Sequence, residues 1–292
     1  MGKNSLNIAS AYAGATIILT TKHRKSLTIA PPFKEILGAD VEEYIVDTDT
    51  LGTFSGETQR KGSALECARK KCLWPLEQQK DKFQFALASE GSFGPHPLNP
   101  FLACDHEILY FIDHYHDFHL YVANISTKTN YRMASLNSFS SLLEFAKVVQ
   151  FPSHALILRP DLTSEEHLLF KGINSYNDLE IYFNICVKNS KNTQVRVETD
   201  MRAHFNPTRL TVIGELATKL ATRLATHCPK CNTHGWGTIR AEKGLPCDAC
   251  GSATNFIKFE IFGCTKCNYE EINERSDGLK KAEPGNCHYC NP

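Results

Sequence analysis

Eight of the twelve cysteines in this 292-residue chain fall into four Cys-x-x-Cys pairs: Cys228/Cys231, Cys247/Cys250, Cys264/Cys267 and Cys287/Cys290. Each pair can offer two thiolates to one ion, and two pairs close a tetrahedral shell with no open position. The chemistry implied is two structural Zn2+ ions, not a catalytic metal. Turn-forming residues lie where the knuckles must bend: Pro229, Gly251, Gly263 and Pro284-Gly285. Disulfides are the competing reading. The N-terminus lacks the basic start, apolar stretch and small-residue cleavage site of a secretory signal, so a reducing, cytoplasmic setting is expected. Thioredoxin-like redox chemistry needs one pair and leaves the other three unexplained.

Which pair joins which stays open in the sequence. Sequential pairing encloses 15 residues in the first site and 19 in the second. Nested pairing joins the second and third pairs across 13 residues, where the run from Phe256 to Phe262 reads as a strand, and leaves the outer pairs to share the other ion.

A second set of reactive side chains follows predicted strands. In open α/β sheets ligands bind beyond the carboxyl ends of the strands. After the first strand come Thr21, Lys22 and Lys25, able to hold phosphate. After the second come Asp47 and Asp49, then Thr53, Ser55 and Glu57. After the third, Ser89, Glu90 and Ser92 lie in a segment through His96 that reads as a glycine-rich turn. Asp200, Arg202, His204 and Arg209 follow a later strand. Carboxylates and cations at one sheet edge are what metal-assisted phosphate chemistry needs. Glu90 with Asp47 or Asp49 would hold Mg2+ or Mn2+, and Thr21, Lys22, Lys25, Ser89, Ser92, Arg202, His204 and Arg209 would bind phosphate or the rest of the ligand.

The elements that must position these groups alternate along the chain. Strands are expected at Thr16–Thr20, Tyr44–Val46, Phe83–Ala88, Glu107–Asp113, Leu120–Ile125, Ala155–Leu158 and Val195–Glu198. Between them lie a short helix opened by Pro31-Pro32 and ended by Gly38, and a longer one near 59–73 with Leu65, Ala68 and Cys72 on one face. Arg60, Lys61, Arg69, Lys70 and Lys71 read as its opposite, solvated side. Further helices are expected at Ser141–Val149 and Tyr176–Val187, and a last one opens at Asn206-Pro207. The rhythm is that of an α/β fold: a mixed-sheet domain over 1–205, a connecting helix over 206–226, and a zinc module over 227–292. That module is too small to hold itself together without metal.

Composition narrows the partners. The formal net charge is zero, so no global field draws the chain to nucleic acid or an anionic membrane. No apolar run approaches the length of a membrane span. Cys67, Cys72, Cys104 and Cys186 have apolar flanks and read as small buried side chains. His106, His114, His116 and His119 lack the spacing of a metal motif and read as surface.

Several stretches carry resemblances. Gly52-Thr53-Phe54-Ser55-Gly56-Glu57, the run from Ala88 to Pro97, Val197 to His204 with Asn206-Pro207-Thr208-Arg209, and the terminal Cys287 to Pro292 together resemble an uncharacterised bacterial family known as a domain of unknown function. That likeness spans nearly the whole chain and implies no activity. The first hundred residues are also similar to the inosine triphosphate pyrophosphatase superfamily. Thr20 to Lys25 matches its phosphate loop, with Lys22 in place of asparagine. Glu57-Thr58 with Gly62 and Ala68-Arg69 matches its Glu-Thr helix, and Leu87 to Ser92 its metal-holding strand end, with Ser92 in place of glycine. His204 and Arg209 are a loose echo of its late Ser-His-Arg element. This second likeness implies an Mg2+-dependent nucleotide pyrophosphohydrolase.

Two functions therefore compete at this point. One is phosphate-ester hydrolysis at the sheet edge, with a nucleotide or other phosphorylated small molecule as ligand. The other is a non-enzymatic zinc-ribbon protein that grips nucleic acid or a protein partner. For the latter, Arg240, Lys243, Lys258 and Lys266 with Trp236, Phe256 and Tyr269 supply modest basic and aromatic surface.

Overall fold

The computed structural model describes residues 10–52, 59–97, 99–161 and 168–292. The Thr53, Ser55, Glu57 and Thr58 positions and the side chain of Asp49 lie outside what is described. Elements run β1 (Thr16–Thr20), α1 (Ser26–Leu37), β2 (Asp40–Tyr44), α2 (Ala64–Gln78), β3 (Phe85–His96), β4 (Asn99–Asp113) and β5 (Phe118–Ser126). They form a mixed sheet in the order β2-β1-β3-β4-β5. β1 is parallel to β2 and β3, and β3, β4 and β5 are antiparallel.

Alternation along these strands sorts the side chains to two faces. Ile17, Leu19, Leu87, Leu109 and Phe111 pack with α1 and the long helix α5 (Pro207–Ala225). Ile18, Ala86, Ala88, Ile108 and Tyr110 pack with Ala68, Cys72 and Leu76 of α2. Helix α2 starts where Ser63 and Glu66 cap each other's backbone, later than the expected 59. Helix α1 begins at Ser26, so Pro31 and Pro32 lie inside it and do not open it. Gly38 ends it at φ 69°, as its left-handed cap requires.

Residues 133–199 build a second, antiparallel sheet that the sequence did not separate from the first: β6 (Met133–Leu136), β7 (Leu156–Pro160), β8 (Phe170–Ile173) and β9 (Val195–Thr199), in the order β6-β9-β7-β8. Helices α3 (Phe139–Val148) and α4 (Tyr176–Asn189) cover one face through Leu142, Leu179 and Phe183. The C-terminal segment is a three-stranded antiparallel meander of β10 (Gly237–Lys243), β11 (Ile257–Gly263) and β12 (Glu270–Glu274).

One expected turn is strand instead. The segment Ser89 to His96 continues β3 and pairs with β4 as far as Asn99, so Glu90 and Ser92 project from a strand and not from a loop. The four cysteines outside the pairs are all buried. Of the histidines read as surface, His114 and His119 are exposed, whereas His116 is half-buried and its Nδ1 lies 2.7 Å from buried Asp113.

Candidate functional site

The eight paired cysteines form two tetrads, Cys228/Cys231/Cys264/Cys267 and Cys247/Cys250/Cys287/Cys290, with the sulfurs of each within 4.8 Å of one another. The pairing is interleaved, first with third and second with fourth, which corrects both the sequential and the nested expectation. The meander explains it. The first pair precedes β10 and the third follows β11, and antiparallel pairing sets Gly237 opposite Gly263 at the same end of the sheet. The second pair lies between β10 and β11, and the fourth follows β12, so these two meet at the other end.

The sulfurs fit zinc. Tetrahedral Zn–S bonds of about 2.3 Å place sulfurs roughly 3.8 Å apart. Cys228 and Cys267 are 3.7 Å apart, Cys231 and Cys264 3.5 Å, Cys247 and Cys290 3.8 Å, and Cys250 and Cys287 3.6 Å. Amides of Lys230, Lys266 and Cys267 donate to Cys228 or Cys264 sulfur, orienting both inside the knuckles. Asn232, Gly251 and Asn268 each follow the second cysteine of a knuckle and adopt positive φ, closing the turn. Four sulfurs per ion leave no position for a substrate.

The reactive side chains gathered from the sequence meet elsewhere, in a cleft between the mixed sheet and the second sheet. It offers about 100 Å³ of space, and Lys25, Arg60, Lys71, Lys171, Arg202 and Arg209 all reach its wall. Glu90 and Asp200 are the carboxylates on that wall. Lys25 immediately precedes α1, is buried, and donates to Ser89 Oγ at 2.7 Å. Burial, then the charges of Arg209 and Lys71, push its ammonium down to about 7 against the opposing pull of Glu107 and Glu90. Thr21 is buried beside it, and its hydroxyl accepts from the His23 amide at 3.1 Å.

Glu90 is neutralised from two sides. It pairs closely with Lys71, and Arg60 Nη2 lies 3.6 Å from its other oxygen. Burial opposes its charge, yet Lys71, Lys25 and Arg60 outweigh that and hold the carboxyl below its ordinary range. Arg60 also donates to Ser92 Oγ at 2.7 Å and to the Gly91 carbonyl at 2.6 Å. Arg202 is held by Asp200 through paired contacts of 2.6 to 3.2 Å. His204 stacks on His23 with ring centres 5.0 Å apart. Burial, then Lys25, His204, Arg202 and Arg209, push His23 down to about 2, so it stays neutral.

Arg209 is anchored where Asn206 caps α5 and its side chain enters the core. It pairs with buried Glu107 on β4, donates to the Met201 carbonyl, and lies over Phe93 at 5.0 Å. Behind it Asp105 shares a β4 face with Glu107, two residues away. Burial and the Glu107 charge raise Asp105 to about 8. At neutral pH Asp105 therefore keeps its proton.

Not every expected residue joins this group. Asp47 pairs with Lys22 at 2.9 Å on the exposed side, and neither lines the cleft. Asp49 lies on the short turn Thr48–Leu51, of which Thr48 reaches the wall. Among the described residues the groups of three or more potential metal ligands are the two cysteine tetrads, so no Glu90–Asp47 metal set forms there. Arg60, Lys71, Lys171, Glu107 and Asp105 were missed. For Lys71 the signal was available: it lies three residues after Ala68 and four after Cys67, on the buried face of α2.

Fold and site together define an α/β protein of two sheets with a cation-lined cleft and a C-terminal meander built on two four-cysteine centres. The chain belongs to the family described as Domain of unknown function (DUF6671), which matches residues 71–292. No curated protein and no solved structure matches the chain, so the likeness to inosine triphosphate pyrophosphatases finds no counterpart there. Among the described residues no helix is long and apolar enough to cross a membrane.

Proposed function

We propose that the cleft binds a phosphorylated small molecule and that the protein hydrolyses a phosphate ester or anhydride of it, with the cysteine module as a zinc-stapled structural unit. The observation that carries this reading is the convergence of six cationic side chains on a wall with two carboxylates. Lys25, Arg60, Lys71, Arg202 and Arg209 outnumber the carboxylates that face them, Glu90, Asp200 and Glu107, and phosphate oxygens would balance the excess.

Phosphate oxygens would compete with Glu90 for Lys71 and Arg60, releasing the carboxylate as they bind. Arg209, fixed by Glu107 and Met201, holds its guanidinium rigid for a bidentate contact. Lys25, titrating near neutrality, can hold an oxygen when charged and take a proton when neutral. A nucleoside triphosphate is the substrate class that the Thr20–Lys25 and Leu87–Ser92 resemblance favours. Mg2+ or Mn2+ enters this reading as part of the nucleotide chelate, and Glu90 is the carboxylate it would meet.

The zinc-ribbon binding reading is less favoured. Residues 227–292 hold eight Lys or Arg against eight Asp or Glu. Arg240, Arg275, Lys280 and Lys281 are each paired with an acidic neighbour, which leaves little field for nucleic acid. The test is a nucleotide panel with Mg2+ and Mn2+, reading pyrophosphate and phosphate release. Turnover lost in Glu90→Gln, with the thermal melt and ligand binding retained, supports hydrolysis. Saturable binding without turnover of any phosphorylated compound would reduce the reading to a binding protein, and absence of both would overturn it.

A further inference from the structure

A second concavity, about 780 Å³, lies on the far side of the mixed sheet between β5, the last turns of α5 and the zinc meander. Its lining has an unusual pattern. Five consecutive residues of β5, 119–123, and six consecutive residues at 236–241 all reach it. Successive side chains of a strand point to opposite faces, so an unbroken run means the groove looks onto the strand's hydrogen-bonding edge. Among the described residues β5 pairs only with β4, and β10 only with β11, so no described strand covers their other edges there.

The direction of the outward groups follows from one contact. Arg223 Nη1 donates to the Tyr121 carbonyl at 3.3 Å, so Tyr121 turns its backbone polar groups away from β4. Alternation of antiparallel pairs then points those of His119 and Ala123 outward as well. Arg69, Lys219 and Arg223 stand around the groove against Glu66 alone on the acidic side, apart from Arg240, which Glu270 already neutralises.

We infer that the β5 edge accepts an extended, acidic peptide segment of a partner protein as an added strand, with Arg69 and Lys219 reading its carboxylates and Arg223, now bonded to the Tyr121 and Gly235 carbonyls, yielding Tyr121 to the incoming strand. A strand added to an open edge gains main-chain hydrogen bonds, and the flanking cations set its charge preference. The recessed edge excludes a second copy of this chain, whose own β5 lies equally deep between α5 and β10. Trp236 and Tyr110 are buried, whereas Tyr121 is exposed in the groove and could take a base, so nucleic acid is the outcome the oligothymidylate control reads.

The test uses the zinc-loaded full chain and a fluorescent, end-capped peptide alternating valine with glutamate. Controls are the valine–lysine peptide and single-stranded oligothymidylate. The acidic peptide is expected to bind saturably and the lysine peptide not at all. Ala123→Pro removes one outward N–H while sparing the β4 ladder, and should weaken binding by about tenfold. Lys219→Glu, at an exposed helix position, should weaken it similarly and tests the charge preference independently should the proline variant misfold. No saturable binding of the acidic peptide, binding indifferent to both substitutions, or preference for oligothymidylate would overturn the inference.

Discussion

Gly91 and Arg209 depend on each other for space: a Cβ on Gly91 would overlap both the Arg209 guanidinium and the Glu107 carboxylate it pairs with. The glycine that read as a turn residue is thus a strand position emptied so that a charged helix side chain can cross to β4. Gly91→Ala should push the pair apart, lowering stability by roughly 1–3 kcal/mol and weakening anion binding. Urea denaturation alongside a sulfate titration checks this, and wild-type stability in the variant would contradict the packing.

The interleaved centres make a counting prediction. Cys231→Ser with Cys264→Ser removes two ligands of one ion and should leave one zinc per chain by elemental analysis, whereas Cys231→Ser with Cys250→Ser damages both sites and should leave none. Sequential pairing would give the opposite result.

Asp105 ties stability to pH. Its folded value, about 8, lies above the ordinary 3.8, so between these values the folded state binds more protons than the unfolded one. Its contribution is full below about 3.8 and is lost as pH rises toward about 8. Asp105→Asn keeps a donor toward Glu107 and should flatten this part of the stability–pH curve, measured by urea melts across the range. A slope unchanged from wild type would contradict the buried acid pair.

Lys25 gives anion binding a separate pH dependence. Sulfate holds its charge throughout, so its affinity should fall as pH rises through about 7, where the Lys25 ammonium loses its proton. In Lys25→Met the affinity should be lower and flat with pH. Calorimetry across neutral pH reads both.

Much of the frame was legible because its signals are local. The Asn206-Pro207 start of α5, the strand at Thr16–Thr20 and the four knuckles follow from capping, alternation and spacing. Lys25, Ser89, Glu90 and Arg209 do come together, although Ser89 and Glu90 lie within β3 and Arg209 follows β9 of the second sheet. What escaped depends on the path of the chain. The zinc pairing is decided by β12, whose Glu-Glu-Ile-Asn-Glu run is polar enough to hide a strand. Glu107 opened a strand expected over Glu107–Asp113 and Asp105 lay before it, and only Arg209, about a hundred residues on, gives their charge a reason.

The cleft's claim on phosphate is tested most directly by calorimetric titration of pyrophosphate into wild type, Arg60→Gln and Glu90→Gln. The structure predicts saturable binding to wild type, weaker binding to Arg60→Gln, where a cation is lost, and tighter binding to Glu90→Gln, where the carboxylate competing for Lys71 is gone. Absence of saturable binding, or the same response in both variants, would contradict it.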